Sequence, residues 1–186
     1  MGGLGIAATA VLVGIAAFDA SDSTTGTDPS TKLTFMAPAA PGGGWDGVAR
    51  EAQQALRADG IVNNVQVVNV PGAGGTIGLS QFVGLGADPT NLMMTGTVMM
   101  GAINVNDSAV DLSDTTPIVR LAEDYEVFIV PADSPYQTLD DFIADWKTDP
   151  HALAVGGGGV GGTDHLLAGL VAEDVGIDPA ELNYVS

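Results

Sequence analysis

The chain contains no cysteine among its 186 residues. This absence excludes disulfide bonds, thiolate metal sites and cysteine nucleophiles, although it leaves the redox compartment open. Basic residues are scarce as well, because five lysines and arginines stand against 23 aspartates and glutamates, for a formal net charge of −18. A charge of this sign repels nucleic acid and anionic membrane surfaces, so we expect no nucleic-acid partner.

Residues for catalysis or metal binding are few. The only histidines are His151 and His165, and the chain has no G-x-S-x-G sequence, so a serine triad is not indicated. The acidic groups lack the spacing of a calcium loop, and no histidine lies at ligand spacing from them. No glycine turn continues into Gly-Lys-Ser or Gly-Lys-Thr, which excludes a phosphate-binding P-loop. We therefore predict no catalytic residue, metal or cofactor.

The N-terminal region has the composition of an export segment. Residues 4–18 are apolar apart from Thr9, which is shorter than the ~20 residues that span a bilayer and suits a signal-peptide core. We interpret residues 1–20 as a signal or anchor and residues 21–31 as a polar tether. Export to the periplasm or cell surface is expected, with the segment either cleaved or kept as a membrane anchor. A buried Ala/Gly-rich helix is the alternative.

Glycine-rich turns occur three times, each between a strand-like and a helix-like run. They span residues 41–46, 71–76 and 156–163. Glycine lets the backbone approach a ligand, and a helix that begins just beyond directs its free N–H groups and positive dipole end at that ligand. The pattern predicts an anion site built from backbone. Because the chain itself is acidic, such a site needs short-range N–H and hydroxyl donors.

Strand and helix patterns alternate along residues 32–186, which predicts an α/β fold with parallel strands. Residues 32–96 are typical of a β-α-β-α-β unit, with helices at 45–58 and about 75–85. Thr138 and Asp141 resemble a capping box at the start of a third helix. A last helix is predicted from Thr163 to near Gly176, followed by a strand from Asn183. The predicted buried residues of this last helix are Leu166, Leu167, Leu170 and Val171.

The third turn also matches a nucleotide-binding pattern. Gly156-x-Gly158-x-x-Gly161 fits the dinucleotide fingerprint and lies between a strand and a helix. Six glycines in seven residues make such a match nearly certain by composition, so the pattern is a weak signal. A nucleotide-dependent α/β enzyme that uses this loop remains the alternative function.

Several segments in order resemble a known family. The sequence from Ala40 to Arg50, APGGGWDGVAR, and that from Asn69 to Gly78, NVPGAGGTIG, resemble the first two loops of the tripartite tricarboxylate transporter solute receptors, also called Bug-type binding proteins. Residues 102–104 resemble the segment that enters the crossover to the second lobe. Residues 117–121 and 138–150 resemble the next strand and helix, and residues 156–167 the family's second-lobe glycine loop.

The resemblance implies a periplasmic-binding-protein-like (type II) fold of two α/β lobes, here residues 32–103 and 104–186. It implies a non-enzymatic receptor, monomeric, that captures a small di- or tricarboxylate-like organic anion between the lobes. The partners would be the membrane subunits of a tripartite tricarboxylate transporter. Family members continue from the last strand back into the first lobe, so we expect the fold to be incomplete in this chain, with weak stability or weak binding.

The resemblance also implies a set of ligand-binding residues. His165 is expected either to donate to a ligand carboxylate or to cap its helix. Asp46 is expected either to orient a bound water or to occupy the first helical turn, where an acid is favoured. The first-lobe residues are Gly42, Gly43, Gly44, Trp45, Asp46, Gly72, Ala73, Gly74, Gly75 and Thr76. Thr97 lies at the crossing, and the second-lobe residues are Gly158, Gly161, Thr163 and His165.

Overall fold

The computed structural model of the chain describes residues 31–186. The predicted export segment and all but the last residue of the predicted tether therefore lie outside the described residues. Within residues 31–186, no helix combines the length and the apolar character that a membrane crossing requires.

The first half of the described chain forms a three-stranded parallel sheet. Strand β1 lies in the centre and pairs with β2 on one side and β3 on the other, so that Phe35 lies between Val67 and Leu92. The predicted β-α-β-α-β order is confirmed. The elements are β1 (Leu33–Ala37), α1 (Gly44–Ala58), β2 (Val65–Asn69), α2 (Thr76–Gly84) and β3 (Asn91–Met93).

The core of this half forms between α1 and the sheet. Ala49 and Val65 are fully buried, and Phe35 is 5% exposed. Trp45, Val48, Ala52 and Leu56 of α1 pack against the same cluster. This is the apolar face that the helical spacing predicts, and burial of each large side chain contributes about 1.5–3 kcal/mol.

Helix α3 (Thr97–Val105) follows β3, and a long, mostly irregular segment leads from it to the next α-helix, which begins at Leu139. The resemblance places a strand at residues 117–121, but this prediction is wrong, because the segment has no strand pairing in the structure. Ile118 and Val119 are 74% and 70% exposed. Among the described residues no strand hydrogen-bonds to this segment, so its β-branched side chains have no sheet on which to pack.

The second sheet has two parallel strands, β4 (Ala154–Gly156) and β5 (Asn183–Val185), with α4 (Leu139–Thr148) and α5 (Thr163–Asp174) beside them. The predicted strand at Asn183 and the predicted last helix are confirmed. The capping box of α4 is also confirmed, because Asp141 N–H donates to Thr138 Oγ1 at 3.2 Å and Thr138 N–H donates to Asp141 Oδ2 at 2.9 Å.

A second core surrounds Trp146, which is fully buried together with Ala172. The prediction for α5 is wrong in part, because Leu166 and Leu170 are 39% and 63% exposed while Ala168 is buried. The two alanines lie two positions from the two leucines and hence on the opposite side of the helix. Trp146 fills the space next to α5, so a small side chain suffices on that side.

Candidate functional site

Within residues 31–186, four helices have a glycine N-cap and no side-chain cap. Glycine is the N-cap residue of α1, α2, α3 and α5, and none of the four receives a side-chain capping hydrogen bond. Helix α4 differs, since Thr138 caps it. The leading N–H groups of an uncapped helix are available to water or to an anion. The four N-caps are Gly43, Gly75, Gly96 and Gly162.

Trp45 connects three of these helix starts. Its indole lies against Gly75, where an added Cβ would come within 2.8 Å of Cζ3. It also lies against Gly96, where an added Cβ would come within 3.2 Å of Nε1. The first turn, the second turn and the start of α3 at Thr97 are therefore neighbours in the structure.

Helix α3 joins the first-sheet turns to the third turn. On one side Ala102 contacts Gly74, and Asn106 Nδ2 donates to the Ala73 carbonyl at 3.2 Å. On the other side Gly101 packs directly on the carbonyl of Gly161. The third turn thus reaches the other two turns through this helix.

The second turn has an unusual backbone. Gly72, Ala73, Gly74 and Gly75 have φ angles of 127°, 49°, 61° and 97°. Only glycine adopts such angles without strain, so the glycines allow the turn and Ala73 costs about 1 kcal/mol. The hydroxyl of Thr76, a predicted ligand donor, instead donates to the Ala73 carbonyl at 2.9 Å. This bond fixes the turn internally.

Asp46 holds the first turn in place. This residue is 3% exposed, and its Oδ2 accepts hydrogen bonds from Gly42 N–H at 2.8 Å and Arg50 Nε at 2.9 Å. Its Oδ1 accepts from Asn69 Nδ2 at 2.8 Å and pairs with Arg50 Nη2 at 2.9 Å. The Arg50 guanidinium, the Gly42 N–H and the Asn69 amide hold the pKa of Asp46 far below its usual range. Both oxygens are engaged by protein donors.

Side chains of α5 hold the third turn. Gly158 N–H donates to Asp164 Oδ2 at 2.7 Å, and Gly161 N–H donates to His165 Nδ1 at 3.1 Å. Tyr184 Oη donates to the Gly158 carbonyl at 2.7 Å, and its ring centroid lies 4.4 Å from that of His165. Burial, followed by the charge of Asp164, raises the pKa of Tyr184.

The occupied third turn disfavours the nucleotide alternative. A phosphate cradled by a dinucleotide fingerprint needs the glycine N–H groups free. Here Gly158 N–H already donates to the Asp164 carboxylate and Gly161 N–H to His165 Nδ1, so neither N–H is free for a phosphate. The glycine spacing therefore matches the fingerprint without providing its donors.

Several residues that shape the site have no place in the sequence prediction. These are Arg50, Asn69, Asn106, Asp164 and Tyr184. Asn69 ends β2 immediately before the second turn, a position that could have indicated a role. Arg50 also carries a local signal, because it lies four residues after Asp46 on the same helix. Asn106, Asp164 and Tyr184 carry none, because their partners are backbone atoms.

The site is built almost without cationic side chains. Of the lysines and arginines, Arg50 alone hydrogen-bonds to a turn-holding residue within residues 31–186, and Asp46 neutralises it. The described residues also contain no group of three or more acids or histidines that could hold a metal. Anion binding here would rest on backbone dipoles.

Parallel α/β sheets whose helices begin uncapped beside one another form an arrangement suited to binding a small anion. Residues 48–185 match the family model described as the tripartite tricarboxylate transporter family receptor, TctC. The chain belongs to this family.

Individual relatives agree with this assignment. A Pseudomonas sp. protein, described as a UPF0065 protein in the tcbD-tcbE intergenic region, is 27% identical over 158 residues, which are 84% of this chain and 47% of the relative. A similarly described Agrobacterium vitis protein is 27% identical over 150 residues, 80% of this chain and 43% of the relative. The chain thus spans about half the length of the curated relatives that it matches.

Solved structures confirm the predicted α/β fold of periplasmic binding proteins. The crystal structure of a TctC solute binding protein from Polaromonas has a TM-score of 0.67 and 30% identity, and the match covers 84% of this chain and 52% of that protein. The periplasmic binding protein BugD has a TM-score of 0.53 at 21% identity, over 85% of this chain and 52% of that protein, which supports the fold alone.

Proposed function

We propose that this chain acts in a solute receptor outside the cytoplasm, which captures a small di- or tricarboxylate-like organic anion and delivers it to the membrane subunits of a tripartite tricarboxylate-type transporter. The receptor performs no chemistry on the ligand. One observation carries the proposal: four uncapped helix starts are linked through Trp45 and α3 into one neighbourhood.

Helix starts can hold an anion in an acidic protein. Each contributes roughly half a positive charge at close range, together with N–H donors that need no counter-ion. The first N–H groups of α1 belong to Gly44 and Trp45, and those of α3 and α5 begin at Thr97 and Thr163. The repulsion from the net charge of −18 acts at long range and is screened by salt.

The organisation that we propose follows the two sheets. Residues 32–103 belong to the first lobe and residues 104–186 to the second, and the ligand binds where α3 joins their turns. The Asp46, Thr76 and His165 side chains hold the turns, while the helix N–H groups contact the carboxylate. We propose an exported, monomeric receptor, in keeping with the periplasmic description of BugD.

A ligand screen by thermal shift tests this function. Acetate, succinate and citrate serve as mono-, di- and tricarboxylate probes, with NAD and ATP as nucleotide probes. A ligand that binds only the folded state adds about 2.7 kcal/mol of stability at a hundredfold excess over its dissociation constant. We expect a carboxylate to raise the melting temperature and the nucleotides to leave it unchanged. A shift with NAD or ATP alone would refute the receptor function.

A further inference from the structure

The first and third glycine turns share one local device. In the first, Asp46 is the third residue of α1 and accepts the N–H of Gly42, four residues earlier. In the third, His165 is the third residue of α5 and accepts the N–H of Gly161, again four residues earlier. Gly42 and Gly161 have nearly equal φ angles of 86° and 81°. One turn uses a carboxylate oxygen where the other uses an imidazole nitrogen.

The device fixes the tautomer of His165. A backbone N–H can only donate, so the Nδ1 atom that it meets must carry a free lone pair. In a neutral imidazole the proton then resides on Nε2. A doubly protonated imidazole has no acceptor and cannot hold Gly161. The turn at Gly161 is therefore held by the neutral ring alone.

The charged and titratable groups around His165 come from three elements. Asp164 of α5 accepts from Gly158, and Tyr184 of β5 packs on the imidazole ring. Glu126, from the irregular segment, acts electrostatically on Tyr184. The α3 residues nearest to Gly161 are Gly101 and Val105, which do not titrate. None of these groups replaces Nδ1 as the acceptor for Gly161 N–H.

We infer that Asp46 and His165 are matched positioning residues, and that His165 holds the third turn through an unprotonated Nδ1 as the Nε2–H tautomer. In this role His165 positions the third turn and need not touch the ligand. The effect on carboxylate binding rests on the proposed function, whereas the tautomer and the state of the turn do not.

The tautomer can be measured directly by NMR of the imidazole nitrogens. His151 is the internal reference, because it is exposed and, within the described chain, its side chain forms no hydrogen bond. We expect His165 to show a single Nε2–H tautomer at neutral pH and His151 a mixture of tautomers. We also expect the Gly161 amide signal to depend on the His165 ring that accepts its hydrogen bond. A mixture of tautomers or an Nδ1–H form of His165 would overturn the inference. A Gly161 amide signal that does not depend on the His165 ring would also overturn it.

Two substitutions separate positioning from ligand contact. In His165→Asn the side-chain carbonyl oxygen lies near the position of Nδ1, so this variant should keep the Gly161 amide shift and retain carboxylate binding within about threefold. His165→Gln places its polar group nearer to Nε2 and should lose both, with binding weaker by about tenfold or more. His151→Asn is the matched control and should change neither. Binding retained by His165→Gln and lost by His165→Asn would contradict the positioning role. If no probe binds the wild type, the proposed function fails. The NMR measurement of the His165 tautomer then still tests this inference.

Discussion

Single residues at the turns explain how a strongly acidic chain accommodates the proposed anion site. Asp46 places a carboxylate at the start of α1, where it would compete with a ligand. Arg50 neutralises it, and Gly42 and Asn69 occupy its oxygens. The Asp46 carboxylate therefore stabilises the turn, and the N–H groups of Gly44 and Trp45 stay available to a ligand.

The N–H of Gly44 can be removed without breaking its helix. Proline is tolerated at the first helical position, and Gly43 has the extended backbone, φ −72° and ψ 166°, that a following proline requires. We expect Gly44→Pro to weaken carboxylate binding about 10- to 100-fold, since a hydrogen bond to a charged group contributes about 1.5–3 kcal/mol.

Gly44→Ala is the control for this change, because it keeps the N–H and its Cβ has no neighbour within 4 Å. Isothermal titration with the carboxylate that gives the largest thermal shift measures both variants. Equal affinities of the proline and alanine variants would show that the N–H at Gly44 does not contact the ligand.

Asp46 gives the chain a specific acid sensitivity. Its pKa is depressed in the folded state, so its contribution to stability is complete above the unfolded value of about 3.9 and is lost as the pH falls toward the folded value. We expect Asp46→Asn to lower the melting temperature by several degrees at neutral pH. The difference from the wild type should shrink below about pH 4.

Asp140→Asn is a suitable comparison, because Asp140 is an exposed residue in the first turn of α4. Melting curves from about pH 3 to 7 should show no comparable change for that variant. A difference between wild type and Asp46→Asn that stays constant across the whole range would contradict the account of Asp46.

At the level of the elements, the second turn needs glycine both for its backbone conformation and for its close contact with α3. Gly75 combines a φ of 97° with contacts to Met99 and Trp45. An added Cβ would meet Met99 Cε at 2.7 Å. We expect Gly75→Ala to cost about 1–2 kcal/mol for backbone strain and about 1–3 kcal/mol more for overpacking, and to weaken ligand binding.

Gly86→Ala separates the two costs. Gly86 also has a positive φ, of 72°, but its Cβ would have open space. Urea unfolding should therefore show a loss for Gly86→Ala of only about 1–2 kcal/mol. Equal losses of unfolding free energy for the two variants would show that the contact between the second turn and Trp45 does not contribute to stability.

The elements that could be predicted are those with a local cause. The capping box at Thr138 and the strand, glycine turn and helix order of residues 33–84 depend on neighbouring residues, and both are observed. The unpaired segment at residues 117–121 could not be foreseen, because strand formation depends on a partner elsewhere in the chain. The hydrogen bonds from Asn69 to Asp46 and from Tyr184 to Gly158 likewise depend on atoms that the fold brings together.

Across the whole molecule, each sheet has its own core and its own tryptophan. Trp146 is fully buried in the second core, and within residues 31–186 its Nε1–H is buried without a hydrogen-bond partner. Trp146→Phe removes this unpaired donor together with part of the ring. We expect a net loss below about 1.5 kcal/mol, because the two effects oppose each other.

Trp146→Ala should cost about 3–5 kcal/mol, since it removes the ring and leaves a cavity. Chemical unfolding of both variants measures the difference. A phenylalanine variant as unstable as the alanine variant would show that removing the Nε1–H gives no compensating gain in stability, and would contradict the view that this donor is unpaired.

The central claim is that the glycine turns around Trp45 bind a small carboxylate, and Trp45 can report on it directly. The chain has two tryptophans, so the Trp146→Phe variant leaves Trp45 as the sole indole, in contact with Gly75 and Gly96. Titration of this variant with acetate, succinate and citrate should give a saturable change in tryptophan fluorescence for at least one of them, and none with ATP or NAD. A folded variant whose Trp45 emission responds to no carboxylate would contradict the account.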